Sequence, residues 1–168
     1  KAAGFDAVVI RGAAARPVYL WIHDGECEVR DASHLWGTFT KQAQQAIRDE
    51  LGDQRVRVAL IGPGGESLVR YACIANELRH FNGRTGMGAV MGSKNLKAVA
   101  VRGTHPVQFH DREGILAMAK AGAQSLRANS GMRGLQEFGT ALVVESNQAV
   151  GGLPTRNWQS GVLPGAEG

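Results

Sequence analysis

Cysteine is scarce: Cys27 and Cys73 are the only two in the chain. Two thiols do not make a disulfide framework, and their spacing is not the C-x-x-C of a metal or cluster site. Both are therefore expected to be small buried thiols, a usage that suits a reducing cytoplasm. Long apolar runs are missing too. Nothing approaches the roughly 18 consecutive apolar residues of a membrane-spanning helix, and no secretory leader is visible. Aromatic residues make up only 6% of the chain and do not interleave with a basic stripe, so no nucleic-acid partner is expected. Neither sign of charge dominates. A net charge of +4 permits an anionic ligand without requiring a polyanion. There is no initiator Met, and we read the chain as a fragment of a longer protein.

The common catalytic signatures are also absent. No Ser/His/Asp or Cys/His arrangement and no H-E-x-x-H pattern occurs, and "GPGGESL" at 62–68 lacks the Gly-Lys-Ser/Thr ending of a phosphate-binding P-loop. His23, His34, His105 and His110 are scattered and are expected at the surface or in the core rather than as ligands. Lys94 and Lys97 flank "SKNLK" and are expected to be solvated. Arg156, in "LPTRNW", reads as a loop arginine.

Against these absences stands an excess of glycine. There are 23 in 168 residues, gathered at 62–65, 83–92 and 131–152, which points to specific backbone geometry rather than to a linker. At 43% hydrophobic and 20% charged, the chain reads as globular and soluble. Strands are expected over "FDAVVIRG", over "RPVYLWIHDGECEVRD" with a type I′ hairpin turn at Asp24-Gly25, and over "RVRVALIG", "SLVRYACIA" and "LKAVAVRG". A helix is expected over "TFTKQAQQAIRDELG". It buries Phe39, Ala43, Ala46, Ile47 and Leu51, with Gly52 as a left-handed cap. After Pro106 the texture turns helical. Asp111 caps "DREGILAMAKAGAQSLRA", where Ile115, Met118, Ala119, Gly122 and Leu126 form an apolar stripe, and a weaker helix covers "GTALVVESNQAVGG". The fold class is therefore α+β over residues 1–106, followed by the start of a helical region over 107–168.

The stretch "LRHFNGRTGMGAVMGSKNLKAVAVRG", Leu78 to Gly103, joins glycine to positive charge. Gly83, Gly86, Gly88 and Gly92 would let successive backbone N–H groups form a concave nest for phosphate. "MGAVMGSKN" opens a short helix there. Arg84 can fork onto two phosphate oxygens, and His80 can donate or accept near neutral pH. The same residue types also serve tight turns and solvated surface, so residue type alone leaves both readings open. Gly86-x-Gly88-x-x-x-Gly92 is also a loose dinucleotide fingerprint, with Arg102 ending the next strand, but the required G-x-G-x-x-G is not met.

The run "RHFNGRTGMGAVMGSKNLKAVAVRG" resembles the aldehyde ferredoxin oxidoreductase family of tungsten, sometimes molybdenum, enzymes. "AGFDAVVIRGAAARPVYLWI", "RDASHLWG", "IGPGGESLVRYACI" and "FGTALVVESNQAVGGLPTRNWQSG" resemble further segments of that family, in its order, and together cover nearly the whole chain. The resemblance implies the sheet-rich second half of a pterin-binding N-terminal domain, followed by the start of a helical domain. It implies tungsten or molybdenum held between the dithiolenes of two pterins (a tungstopterin or molybdopterin cofactor). It further implies a magnesium ion bridging the pterin phosphates through backbone carbonyls, and a 4Fe-4S cluster passing electrons to ferredoxin or another carrier. The reaction implied is oxidation of an aldehyde to a carboxylic acid, or a related conversion, in the cytoplasm, in a homodimer or a multisubunit complex.

Carried over by position, His80 stands near the pterin, with Arg79 as the alternative source of charge because "RH" replaces the family's "HR". By the same resemblance, the backbone carbonyl of Phe81 would reach the magnesium, Gly83 would give close backbone approach, and Arg84 would contact the pterin or its phosphate. Thr85 stands where some members have glycine. The cluster cysteines, in a C-x-x-C-x-x-x-C pattern, and the catalytic acid and histidine are expected beyond Gly168, so no residue here is catalytic. The reading of another class is a non-redox dinucleotide- or phosphate-binding module built on the glycine-rich loop.

Overall fold

The structure is a computed structural model describing residues 1–165. It divides into two units, Lys1–Val107 and the residues from Gln108 onward. The first unit is built on a six-stranded mixed sheet. Its strands are β1 (Val18–His23), β2 (Glu26–Asp31), β3 (Arg57–Leu60), β4 (Ile74–Asn76), β5 (His80–Asn82) and β6 (Leu96–Arg102), in the spatial order β2-β1-β6-β3-β4-β5. Only β1 and β6 run parallel; the other neighbours are antiparallel. This is the expected α+β class.

Strand side chains alternate between faces, and each face has its own core. Tyr19, Val58, Leu60, Ala98 and Ala100 point to one side. There they meet Ala43 and Ile47 of α1 (Thr40–Leu51). Fully burying an aliphatic side chain such as Ile47 contributes about 1.5–3 kcal/mol. Leu20, Ile22 and Ile61 share the second core with Met91 of α3 (Met87–Ser93). Between β3 and β4 lies one turn of helix, α2 (Pro63–Glu66), started by Pro63 at its first position. The β1–β2 turn has Asp24 at φ 41° and Gly25 at φ 94°, the two left-handed residues that a type I′ hairpin requires.

Several expectations fail for physical reasons. Residues 5–12 form no strand: Val9 is 80% exposed, and the segment finds no ladder partner among the described residues. "SLVRYACIA" is mostly turns, with only Ile74 and Ala75 extended, in β4, because Leu68 is left-handed at φ 58° and the N–H groups of Val69 and Ala72 close local turns onto the carbonyls of Gly64 and Val69. Phe39 precedes α1 and is exposed rather than part of its buried face. Cys27 is exposed on the edge strand and Cys73 is half-buried. Lys97 is wholly buried. Lys94 is half-buried, with Nζ donating to the carbonyl of Gly12.

The second unit contains α4 (Arg112–Ala128), α5 (Ser130–Phe138) and α6 (Val144–Ala149). Asp111 caps α4 by accepting from Gly114 N–H at 2.8 Å. Asn129 caps α5, the helix not foreseen, in the same way from Met132 N–H at 3.0 Å. The stripe on α4 is present but uncovered, with Met118 76% and Leu126 53% exposed. Among the described residues no helix is long and apolar enough to cross a membrane.

Candidate functional site

The glycine-rich basic segment runs from edge strand β5 through a loop into α3. Its first unpaired group follows from the ladder. Glu77 N–H donates to Val58 O, and antiparallel pairs alternate between bonded and non-bonded. Leu60↔Ala75 is therefore a bonded pair. Ala75 then turns away from β5, which leaves Ala75↔Phe81 non-bonded. The amide and carbonyl of Phe81 point outward from the sheet edge. His80 and Asn82 carry their side chains on the opposite face from Phe81, and Asn76 Nδ2 donates to Asn82 Oδ1 at 2.7 Å.

The loop continues this unpaired edge. The N–H groups of Gly83, Arg84, Thr85, Gly86 and Met87 have no hydrogen-bond partner among the described residues, whereas Gly88 N–H is committed to Ala72 O at 2.9 Å. The Arg84 side chain is exposed and makes no ion pair or hydrogen bond among those residues. Phe81 is 59% exposed and His80 also lies at the surface. His80, Phe81, Gly83 and Arg84 thus lie on one exposed ribbon that presents a carbonyl, several amides and a guanidinium.

The glycines divide differently from the expected nest. Gly83 is not left-handed, and a Cβ there would meet nothing within 4 Å. The left-handed turn is made by Thr85 and Gly86, both at φ 66°. Thr85 Oγ1 donates to the Arg84 carbonyl at 2.6 Å. Gly86, Gly88 and Gly92 are packing residues. A Cβ on Gly86 would strike the carbonyl of Arg70. One on Gly88 would lie 2.6 Å from Cys73 O, and one on Gly92 would run into the carbonyl of Gly65 in α2. These three glycines bring α3 against α2 and the 70–73 turn, and so hold the far end of the ribbon.

Beneath this contact lies a polar arrangement that the sequence reading missed. Lys97 of β6 is wholly buried and pairs with Glu66 of α2. Its Nζ also donates to Thr38 O at 3.0 Å, and Glu66 accepts Gly37 N–H at 2.7 Å. The signal was a lysine inside the apolar run "LKAVAV". On the β1–β2 hairpin, His23, Glu26 and Glu28 gather their ligand atoms within 4.8 Å. His23 Nε2 is 2.9 Å from Glu28 Oε1, while Arg30 forks onto Glu28 Oε2. Hydrogen bonding and ion pairing account for that cluster.

The aldehyde ferredoxin oxidoreductase N-terminal domain model matches residues 1–103. The tungsten-containing aldehyde ferredoxin oxidoreductase of Pyrococcus furiosus is 43% identical over 165 residues, covering 98% of this chain and 27% of that protein. The aliphatic sulfonate oxidoreductase, WOR-like subunit, of the same organism is 38% identical over 176 residues, with 95% and 27% covered. Among solved structures, the active site complex BamBC of benzoyl coenzyme A reductase with 1,5-dienoyl-CoA superposes with a TM-score of 0.73 at 38% identity. It covers 76% of this chain and 19% of that one. The chain spans about a quarter of the length of the curated relatives it matches.

Proposed function

Because the chain belongs to the aldehyde ferredoxin oxidoreductase family, an oxidoreductase family, we propose that it forms part of an enzyme that oxidises an aldehyde, or a related substrate, at a bis-pterin tungsten or molybdenum centre. Residues 1–106 supply half of the base on which the cofactor rests, and 107–168 begin the helical domain. When bound, the cofactor would supply two-electron redox chemistry at its metal, with a 4Fe-4S cluster carried elsewhere in the protein serving transfer to ferredoxin or another carrier. The setting is cytoplasmic, and the assembly is a homodimer or a multisubunit complex.

The observation that carries this reading is the unpaired ribbon from Phe81 to Met87. On this exposed edge the unpaired backbone groups are open to a ligand without breaking any protein hydrogen bond. Here five consecutive N–H groups follow an outward-facing carbonyl. The Phe81 carbonyl would suit a hard cation such as magnesium, the amides would suit a phosphate, and the Arg84 guanidinium could fork onto that phosphate. His80 stands beside them. The residues present therefore fit a pterin phosphate with its magnesium, and they hold and orient it rather than react.

The relatives differ in what their names say they act on: aldehydes, aliphatic sulfonates and a benzoyl thioester. The test is metal and pterin analysis of the full-length protein. Tungsten or molybdenum at about one per chain, with a fluorescent pterin oxidation product, is the expected result. Tight nucleotide binding with no metal would replace this reading with a non-redox phosphate-binding module.

A further inference from the structure

We propose that the cleft between α1, β3 and the β4–β5 turn binds a small oxyanion that carries a hydroxyl group, at a site separate from the ribbon that follows β5. The cleft has a volume of about 480 Å³ and is lined by Gln44, Arg48, Arg57 and Arg79, with Glu77 among them. That volume suits a small ligand, and the polar lining excludes an apolar one.

The charges do not cancel. Glu77 Oε2 is shared by Arg48 Nη2 at 2.8 Å and Arg57 Nη1 at 2.7 Å, and its Oε1 accepts Val58 N–H at 2.7 Å. Arg48 Nε is committed to Val56 O at 3.0 Å. One carboxylate therefore faces three guanidinium groups. The nearby acids are engaged elsewhere, Asp49 by Gln45 and Gln54 and Asp53 by Arg55 and Arg102. The Arg79 side chain has no partner among the described residues. Arg48 Nη1 and the Nε and Nη2 of Arg57 also remain free to donate. Guanidinium donors in this number select oxyanions.

The second observation is Gln44. It is only 6% exposed, lines the cleft, and its buried Oε1 accepts no hydrogen bond among the described residues. Buried polar atoms are paired in the great majority of cases, so an unpaired acceptor among cationic donors calls for a ligand that offers a proton. A hydroxyl-bearing oxyanion meets both demands. Hydrogenphosphate and a short 2-hydroxycarboxylate share that chemistry, while sulfate and a simple carboxylate lack the hydroxyl.

The experiment uses the full-length, metal-loaded protein, whose own cofactor phosphates already occupy the ribbon. Phosphate, sulfate, lactate and propionate are titrated separately by calorimetry in an inert buffer. Phosphate is expected to bind at least tenfold tighter than sulfate, or lactate at least tenfold tighter than propionate, and whichever pair discriminates identifies the source. Arg57→Gln, which leaves Glu77 paired with Arg48, should weaken that binding at least tenfold. Gln44→Met, of similar length, should abolish the discrimination, with tungsten content unchanged in both variants. No binding, equal binding of a hydroxylated anion and its control, or binding indifferent to Arg57→Gln would each overturn the site. All three outcomes leave the cofactor reading standing, because metal content is measured independently.

Discussion

The ammonium of Lys97, inaccessible to solvent, lies against the carboxylate of Glu66, which is itself 5% exposed. The pair fastens β6 to α2, and through Thr38 O and Gly37 N–H it also holds the loop before α1. Removing one member of a buried pair leaves an uncompensated charge, which costs about 3–5 kcal/mol, whereas replacing both by apolar groups is often close to neutral. Lys97→Met and Glu66→Leu should therefore each lower stability by about 3–5 kcal/mol, and the double variant should recover most of that loss. Urea unfolding of the three variants measures this. Simple addition of the two single effects would show that the residues do not act as a pair.

Gly92 and Gly83 should respond oppositely to alanine. At Gly92 a Cβ would meet the carbonyl of Gly65, a backbone atom that moves only if α2 and α3 separate. Overpacking of this kind costs about 1–3 kcal/mol. At Gly83 the space is open and the backbone is not left-handed, so Gly83→Ala should change stability by no more than about 0.5 kcal/mol. Denaturant midpoints of the two variants provide the comparison. A costly Gly83→Ala in the cofactor-free protein would mean that the loop is constrained by something other than its ligand.

The pattern of legibility has a physical basis. The β1–β2 hairpin, α1, β6 and the Asp111 cap could be read because each rests on local chemistry: two left-handed turn residues, a helical apolar spacing, alternation and a capping carboxylate. Val8–Ile10 looked equally strand-like, but a strand needs a partner, and no local pattern shows whether one exists. Lys97 was misread because burial of a lysine depends on an acid 31 residues away. In the glycine cluster, composition revealed that the backbone comes close to something. It could not show that Gly88 and Gly92 approach other backbone while the amides of 83–87 stay unpaired. His80, Gly83 and Arg84 stand out by residue type, whereas Phe81 comes from the resemblance alone, and the ladder register supplies the reason that Phe81 carries a free carbonyl.

Thr85 sits at φ 66°, a region that a β-branched residue adopts at a cost of order 1–3 kcal/mol. Thr85→Gly should therefore stabilise the first unit, by about 1 kcal/mol once the greater freedom of glycine in the unfolded chain is set against the relieved strain. A raised urea midpoint is the expected result. A lowered one would mean that the Thr85 Oγ1 hydrogen bond to the Arg84 carbonyl outweighs the strain.

The Arg84 side chain makes no hydrogen bond or ion pair among the described residues, so its substitution should leave the empty fold unchanged and act on the cofactor alone. A hydrogen bond to a charged group contributes about 1.5–3 kcal/mol. Arg84→Ala should accordingly lower metal and pterin occupancy about ten- to hundredfold where binding is limiting, with an unchanged urea midpoint for the cofactor-free form. Arg84→Lys should also be impaired, because a point charge replaces a fork. Full metal loading of Arg84→Ala would remove this residue from the site.

Glu77 gives the acid side of the stability profile a specific source. Burial pushes its carboxyl up. The Val58 amide and the Arg57 and Arg48 guanidinium groups together hold it below its ordinary 4.5. A carboxyl with a folded pKa below its unfolded value contributes stability that is fully present above the unfolded pKa and is lost as pH falls through the folded one. Glu77→Gln keeps the shape but removes the charge, leaving Arg48 and Arg57 unpaired. The variant should be less stable than wild type at pH 7, and the gap should narrow as pH falls below about 4.5 and the wild-type carboxyl takes up its proton. Urea midpoints of both proteins from pH 7 to pH 3, in phosphate-free buffer, measure the gap directly. A gap that does not change with pH would mean that the Glu77 side chain stabilises the turn by its shape and neutral hydrogen bonds rather than by its charge.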